Sequence, residues 1–404
     1  MLRFVVIELR QHLSCANVFL TFQESMDALE SLRINVEDSL IRLRHSCDST
    51  VSEVNVAKYF TILTESFSNL VVEGENVSFR ISVQNIKDVD RQQNDIDKAL
   101  ENPKFQLEEG QMASLHCKQC DSSLCGGEGS AMSYNKVREF PSGSIDMSEF
   151  FCHHGPNFGD VLMPRTQDMF YGFLFIILNM ENIRKSTKER EGHLYCGRCN
   201  RYLGETQFEG KAAKLWTESV VMKLNSVLDP LELFDHKPQQ LIQMLMLKII
   251  NETSLPSPEP LLRNLHFTKV LLEACRPNRQ QQYLLVQILE KNLPILKNDQ
   301  ELDHVTPSKD VFIHLLKVHL ETHFAFKLLY RLIEVTQPNE EEAEESSTEP
   351  AMLSYWQQDI NILKMRISPF LFQSLVDELN VNSELLPEMY RNNKDSFTMS
   401  YIFQ

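Results

Sequence analysis

The residues best suited to chemistry in this chain are four cysteines in two short pairs, Cys117-Lys-Gln-Cys120 and Cys196-Gly-Arg-Cys199. Each opens the same C-x2-C-x3-L pattern, ending at Leu124 and Leu203, with glycine close behind at Gly126 and Gly204. A tight Cys-x2-Cys turn places two thiolates about 2.3 Å from one metal, and its backbone N–H groups stabilise the sulfurs. Two such turns, far apart in sequence, complete a closed shell of four thiolates. The spacing therefore predicts one shared structural Zn2+. The rival readings are two unrelated pairs of buried thiols and a thioredoxin-like redox site, and the latter lacks a clear βαβ pattern at either pair.

Other constellations are weaker. Cys125 stands beside the first pair and either packs or replaces Cys120 as a ligand. His116 and His193 flank the pairs and are expected to hydrogen-bond or sit at the surface, since four thiolates fill the shell. Phe151-Cys152-His153-His154 combines soft and borderline metal ligands before a Gly155-Pro156 turn. It is either a buried cysteine with histidines satisfying local carbonyls, or a loop that reaches a metal or another protein's active site. His319 and His323 are four apart on a predicted helix, but Leu320 stands where a zinc protease's HExxH needs glutamate. No phosphate-cradling Gly-x4-Gly-Lys-Ser/Thr and no Gly-x-Ser-x-Gly elbow occurs. Cys275 is the last cysteine in the chain, at the end of a predicted helix beside Arg276. It is a structural residue or, if a thioester forms, a candidate nucleophile with Cys152.

The nine cysteines are odd in number, and four have metal spacing, which favours a reducing compartment over a disulfide framework. The net charge of −16 argues against a direct nucleic-acid partner, which needs a positive surface. No membrane partner is expected, because the longest apolar run, Met169–Met180, is too short to cross a bilayer. Arg3 and Glu8 interrupt any secretory signal at the start. With 42% apolar residues, the chain can bury a substantial core.

The elements that must position these residues divide into three regions, and the fold class expected is α+β. Residues 1–110 read as β-rich, with strands at Leu2–Leu9, Asn17–Phe22, Ser39–Arg44 and Val77–Val83. Residues 111–225 read as a zinc-stapled β unit with the Cys-His loop inserted. Strands are expected there at Tyr134–Phe140, Phe170–Leu178 and Lys214–Met222. Residues 226–404 read as mixed α+β. Helices are expected at Pro238–Ile250, Leu261–Ala274, Val311–Val335 and Phe370–Leu379, and strands at Tyr283–Leu289, Leu293–Leu296 and Ser396–Phe403. The run 338–350 is an acidic, solvated loop.

Tyr195-Cys-Gly-Arg-Cys-Asn-Arg-Tyr-Leu-Gly-Glu205, the earlier Cys117-x2-Cys120 and the intervening Glu149-Phe-Phe-Cys-His153 resemble the HECT-like ubiquitin ligases that bind ubiquitin-conjugating enzymes (E2). The resemblance runs the length of the chain, and its second cysteine turn is the most specific part. It implies a ubiquitin-protein ligase that recruits a charged conjugating enzyme and passes ubiquitin to substrates or to itself, in the cytoplasm and nucleus. It also implies a second partner, the zinc endonuclease that cleaves pre-mRNA 3′ ends. That enzyme would be bound and held inactive by a loop containing Cys152 and His153. One departure concerns mechanism: a HECT ligase keeps its nucleophilic cysteine near the C-terminus, and no cysteine follows Cys275 here. Transfer would then use Cys275 or Cys152, or pass directly from the conjugating enzyme.

Overall fold

The computed structural model describes residues 2–25, 32–45, 50–87, 105–125, 131–140, 163–224, 231–234, 240–253, 268–275, 280–298, 314–336, 351–393 and 396–404. The first region forms β1 (Leu2–Arg10), β2 (Cys15–Phe22), β3 (Leu32–Glu37), β4 (Leu40–His45), β5 (Thr50–Asn55), β6 (Thr61–Glu73) and β7 (Asn76–Gln84). The middle region forms β8 (Met112–Cys117), β9 (Ser123–Cys125), β10 (Met132–Ser133), β11 (Lys136–Glu139), β12 (Asp168–Gly172), β13 (Phe175–Asn179) and β14 (Thr187–Arg190). It continues with β15 (His193–Cys196), β16 (Tyr202–Gln207), β17 (Ala212–Trp216) and β18 (Val220–Leu224). The last region holds α1 (Leu241–Thr253), β19 (Thr268–Cys275), β20 (Gln280–Lys297), β21 (His314–Val318) and β22 (Glu321–Thr336). It ends with α2 (Ala351–Gln358), β23 (Leu363–Arg366), α3 (Pro369–Ser383) and β24 (Thr398–Phe403). The protein is β-rich, and these three helices all lie beyond residue 240.

A nine-stranded sheet in the order β23-β19-β20-β1-β2-β7-β6, with β22 on β20 and β24 on β22, combines strands from both ends of the chain. The 18-residue β20 makes this possible. It pairs antiparallel with β22 along its length, with β19 over its first half and with β1 at Ile295–Lys297. Two register shifts between Ile288 and Leu293 separate the halves. A second sheet, β21-β5-β4-β3, joins the two ends again through parallel pairing of β21 with β5. The middle region has its own sheets, the seven-stranded β11-β12-β13-β17-β16-β15-β14 and the four-stranded β10-β8-β18 with β9 on β8.

One buried ion pair ties the ends of the chain together. Glu8 on β1 is fully buried and accepts from Lys327 on β22, from the Tyr401 hydroxyl on β24, and from Asn17 Nδ2 at 3.0 Å. Burial works against the carboxylate, but the Lys327 charge and these hydrogen bonds hold its pKa below the usual value. Nearly every lone pair of the carboxylate is thereby used, which is the condition under which a buried charge is tolerated.

Several sequence expectations are overturned. Val311–Val335 is not helical where it is described, but forms β21 and β22. The middle of β22 is covered on both faces, with Phe326, Leu328 and Tyr330 in one apolar cluster, Leu329 and Ile333 in another and Ala325 in a third. A strand buried on both faces loses its alternation and reads like a helix. The same cause makes Thr268–Cys275 a strand rather than the end of a helix, with Val270, Leu271 and Leu272 all buried. Phe170–Leu178 is a hairpin, β12 and β13, turned at Leu174 with φ 60°. Lys214–Met222 is two strands in different sheets, joined by the turn Thr217-Glu218-Ser219. Tyr283–Leu289 and Leu293–Leu296 are one strand, β20, kinked by its bulges. The expected acidic run 338–350 lies outside the described residues.

Replacing Lys327 by alanine strands the buried Glu8 carboxylate, and is expected to lower the unfolding free energy by about 3–5 kcal/mol in urea titrations. Glu8 has a depressed native pKa, so its contribution is fully present above the unfolded value of about 4.3 and drains away as pH falls further. Glu8→Gln is expected to flatten that acid limb of the stability profile; an unchanged limb would remove Glu8 as its source.

Candidate metal centre

Each cysteine pair is the turn of a β-hairpin, the first between β8 and β9 and the second between β15 and β16. The two turns use the same backbone hydrogen bonds. In the first, Cys117 N–H donates to Ser122 O and Asp121 N–H to Cys117 O; in the second, Cys196 N–H donates to Arg201 O and Asn200 N–H to Cys196 O. Closing each turn requires a left-handed residue at the same position, Asp121 at φ 56° and Asn200 at φ 58°. Asp and Asn are the non-glycine residues that adopt this conformation most readily. The leucines of the pattern, Leu124 and Leu203, anchor both hairpins in one apolar cluster with Cys117 and Cys196. Two glycines permit close backbone approach. A Cβ on Gly197 would lie 2.7 Å from Ser186 O, and one on Gly204 would lie 1.9 Å from Lys214 O.

The hairpins face each other so that all four sulfurs lie within 4.8 Å of one another. Cys117 Sγ is 3.7 Å from Cys199 Sγ, and Cys120 Sγ is 3.6 Å from Cys196 Sγ. Four sulfurs at zinc–thiolate distance stand about 3.8 Å apart along the edges of a tetrahedron. The donor set and its spacing thus fit a tetrahedral ion of the zinc type. Backbone N–H groups are directed at the sulfurs: those of Gln119 and Cys120 at Cys117, that of Ser122 at Cys120 and that of Arg201 at Cys199. Contacts from the turns to each other and to neighbouring segments close the unit. Ser186 Oγ donates to Leu124 O, Arg198 Nη1 lies 3.5 Å from Cys120 O, and Lys118 N–H donates to Ser219 O at 3.0 Å.

The metal-free thiols differ sharply. Burial pushes the Cys117 thiol up to about 12, and burial likewise raises that of Cys120. Burial also opposes ionisation of Cys199, but the Arg201 N–H and the three neighbouring thiols bring it down to about 7.

The remaining candidates are resolved in part. Cys125 is buried against Met132 Sδ at 3.1 Å and Tyr134 OH at 3.4 Å, so it packs beside the cluster and is not one of the four converging thiols. His116 hydrogen-bonds Ser114 Oγ and Asp121 O, each at 3.0 Å, and His193 Nδ1 lies 3.0 Å from Glu191 O. Neither belongs to the sulfur cluster. His323 lies on β22 with its ring 5.8 Å from that of Phe403, so the helical His319–His323 pair does not exist. Cys275 ends strand β19 opposite Gln281, and the helix-terminus argument for its acidity falls away. Phe151, Cys152, His153 and His154 lie outside the described residues, and with them the implied contact to the endonuclease.

Sequence reading missed the groups that join the middle region to the last one. Arg366, beside α3, reaches Glu205 on β16 at 2.9 Å and Glu273 on β19 at 2.8 Å. Ser368 caps α3 by accepting from Leu371 N–H and donates to Glu218 on the β17–β18 turn at 2.6 Å. No local pattern announces such pairs, because their partners are far away in sequence.

Fold and site together define a β-rich scaffold in which a closed four-thiol site braces two hairpins. The chain belongs to the family described as HECT-like ubiquitin-conjugating enzyme (E2)-binding, whose model matches residues 8–398. No curated protein and no solved structure matches it. Among the described residues, no helix is long and apolar enough to cross a membrane.

Metal binding must expel the protons of Cys117 and Cys120. The logarithm of the zinc association constant is therefore expected to fall by at least about two per pH unit on acidification through neutrality, steepening below pH 7 as Cys199 joins. Competition with a chromophoric chelator across pH measures the slope, and a slope near zero would exclude thiolate ligation.

Proposed function

We propose that this chain binds a ubiquitin-conjugating enzyme and promotes ubiquitin transfer directly from that enzyme to an acceptor, with a structural Zn2+ held by Cys117, Cys120, Cys196 and Cys199. The family match over residues 8–398 carries the reading. Four soft thiolates in a closed shell suit zinc in a structural role, where it would brace the two hairpins and leave no position open for substrate.

The described cysteines offer no support for a covalent relay. Among the cysteines whose side chains are described, four converge in the cluster, and Cys15 and Cys125 are buried. Arg80 Nη2 lies 2.8 Å from Cys15 Sγ, a further commitment of that sulfur. A covalent relay needs a thiolate that the conjugating enzyme's thioester can reach. With an ion held by the four converging thiols, none of these six meets that need. In direct transfer the acceptor amine attacks the thioester carbonyl, the conjugating enzyme's thiolate leaves, and the scaffold supplies proximity and orientation.

The test is discharge of ubiquitin from a panel of charged conjugating enzymes by the purified protein. Stimulation with at least one of them is expected, and it is expected to persist in a triple variant carrying Cys47→Ser, Cys152→Ser and Cys275→Ser. A thiol-reducible ubiquitin adduct on the wild-type chain, lost together with activity in the triple variant, would replace direct transfer by a relay. Absence of stimulation and of binding across the panel would overturn the reading altogether.

A further inference from the structure

The chain carries a net charge of −16, yet one short stretch has the opposite sign. Between Ile183 and Tyr202 stand six lysines and arginines against two glutamates. This stretch folds as β14, β15 and the second cysteine turn, so its charges stay together in space. Gly197 N–H donates to Ser186 O at 2.8 Å, which brings the segment around Lys185 to the turn that carries Arg198. Lys188 Nζ donates to Asn200 Oδ1 of the same turn at 3.1 Å.

The sheet sorts these charges by sign. Residues directly opposite in a ladder share a face. Lys188 lies opposite Tyr195 and Arg190 opposite His193, whereas Glu189 lies opposite Leu194, which is buried in the core. Lys188 and Arg190 therefore share the face that bears Tyr195, and that face continues to Tyr202, the partner of Tyr195 on β16. The Arg190 guanidinium lies 5.6 Å from the Tyr195 ring centroid, and the Tyr195 and Tyr202 rings meet edge to face at 5.9 Å. Lys185, Lys188, Arg190 and Arg198 are all exposed, and among the described residues none of the four forms an ion pair. Tyr202 is also part of an open groove of about 350 Å3, shared with Arg201, Trp216, Pro369 and Phe370. Phe370 is 60% exposed there. The hydrogen bonds of Arg201 go to neutral oxygens, Gln119 Oε1 at 3.4 Å and Glu218 O at 3.2 Å.

We propose that this surface binds a single-stranded polynucleotide, with Lys185, Lys188, Arg190 and Arg198 on its phosphates and a base in the groove against Tyr202 and Phe370. The two parts of the surface select this occupant together. Exposed cations without carboxylate partners attract any anion, but aromatic walls beside them take a flat π-face. A single strand supplies both, whereas a run of acidic side chains supplies only charge. A duplex keeps its bases stacked inside and leaves the groove empty. The charge of the whole chain argues against such a partner only because most of its acids lie outside this stretch. The proposal does not rest on binding of a conjugating enzyme.

The test is fluorescence anisotropy of labelled dodecamers of uridine and of thymidine, titrated with the full-length, metal-loaded protein. Saturable binding is expected, and the tighter of the two identifies the sugar. Four phosphate contacts on a single strand predict a slope of about −2.8 in log K against log salt, which is roughly fiftyfold weaker binding at 200 mM than at 50 mM. The double variant Lys188→Gln with Arg190→Gln is expected to flatten that slope by about 1.4. Lys58→Gln, at an exposed position in the first region, is expected to leave it unchanged. Phe370→Ala is expected to weaken binding about fivefold or more. Metal content and circular dichroism report whether each variant is folded. No saturable binding to either dodecamer would overturn the proposal, as would an unchanged slope in the folded double variant or unchanged affinity in folded Phe370→Ala. Equal affinity for a duplex of the same length would remove the base from the groove and overturn it too. Equal affinity for an oligoglutamate of the same charge would assign the surface to an acidic polypeptide instead.

Discussion

The convergence of four sulfurs is the constraint on which the middle of this protein depends. The two turns that supply them are separated by 76 residues or more, yet each reaches its ligand geometry through the same local hydrogen bonds. Local preorganisation matters because whatever chain entropy the turns have not already lost must be offset by the free energy of binding the ion. Here the left-handed Asp121 and Asn200, the buried Leu124 and Leu203, and the close approach at Gly197 and Gly204 do that work. An ion held by the four sulfurs would have to join only two prepared hairpins.

From that brace, rigidity spreads outward by charge rather than by apolar contact alone. The second hairpin leads into β16, where Glu205 meets Arg366, and Arg366 meets Glu273 on β19. The first hairpin rests on the β17–β18 turn through Lys118 and Ser219, and Glu218 of that turn holds the cap of α3. At the far side, Glu8, Lys327 and Tyr401 fasten the first strand to the last. Each bridge couples elements that share no sheet or are distant in sequence. A scaffold that must present a fixed surface to a large partner benefits from such links, because they leave fewer independent motions to freeze on binding.

How much of this was legible in the sequence follows from where the determining contacts lie. The cysteine turns were readable because spacing, turn geometry and ligand chemistry are all local. Strands with one wet face, such as Val77–Val83, were readable for the same reason, and β7 alternates as expected through Ile81 and Val83. The last region misled at β19 and β22 because both are sandwiched between apolar clusters, so their sequences carry no period of two. Long apolar runs containing Leu, Lys and Glu then mimic helices, although α1 and α3 were found close to their true positions. The salt bridges had no local signature. They exist only once three distant segments have been packed together.

The most direct measurement is X-ray absorption at the zinc edge, combined with metal analysis, on protein purified under reducing conditions. One zinc per chain, surrounded by four sulfurs at about 2.3 Å, is the outcome required if both hairpins grip a single ion. A shell of mixed sulfur with nitrogen or oxygen, or a folded protein devoid of metal, would contradict it.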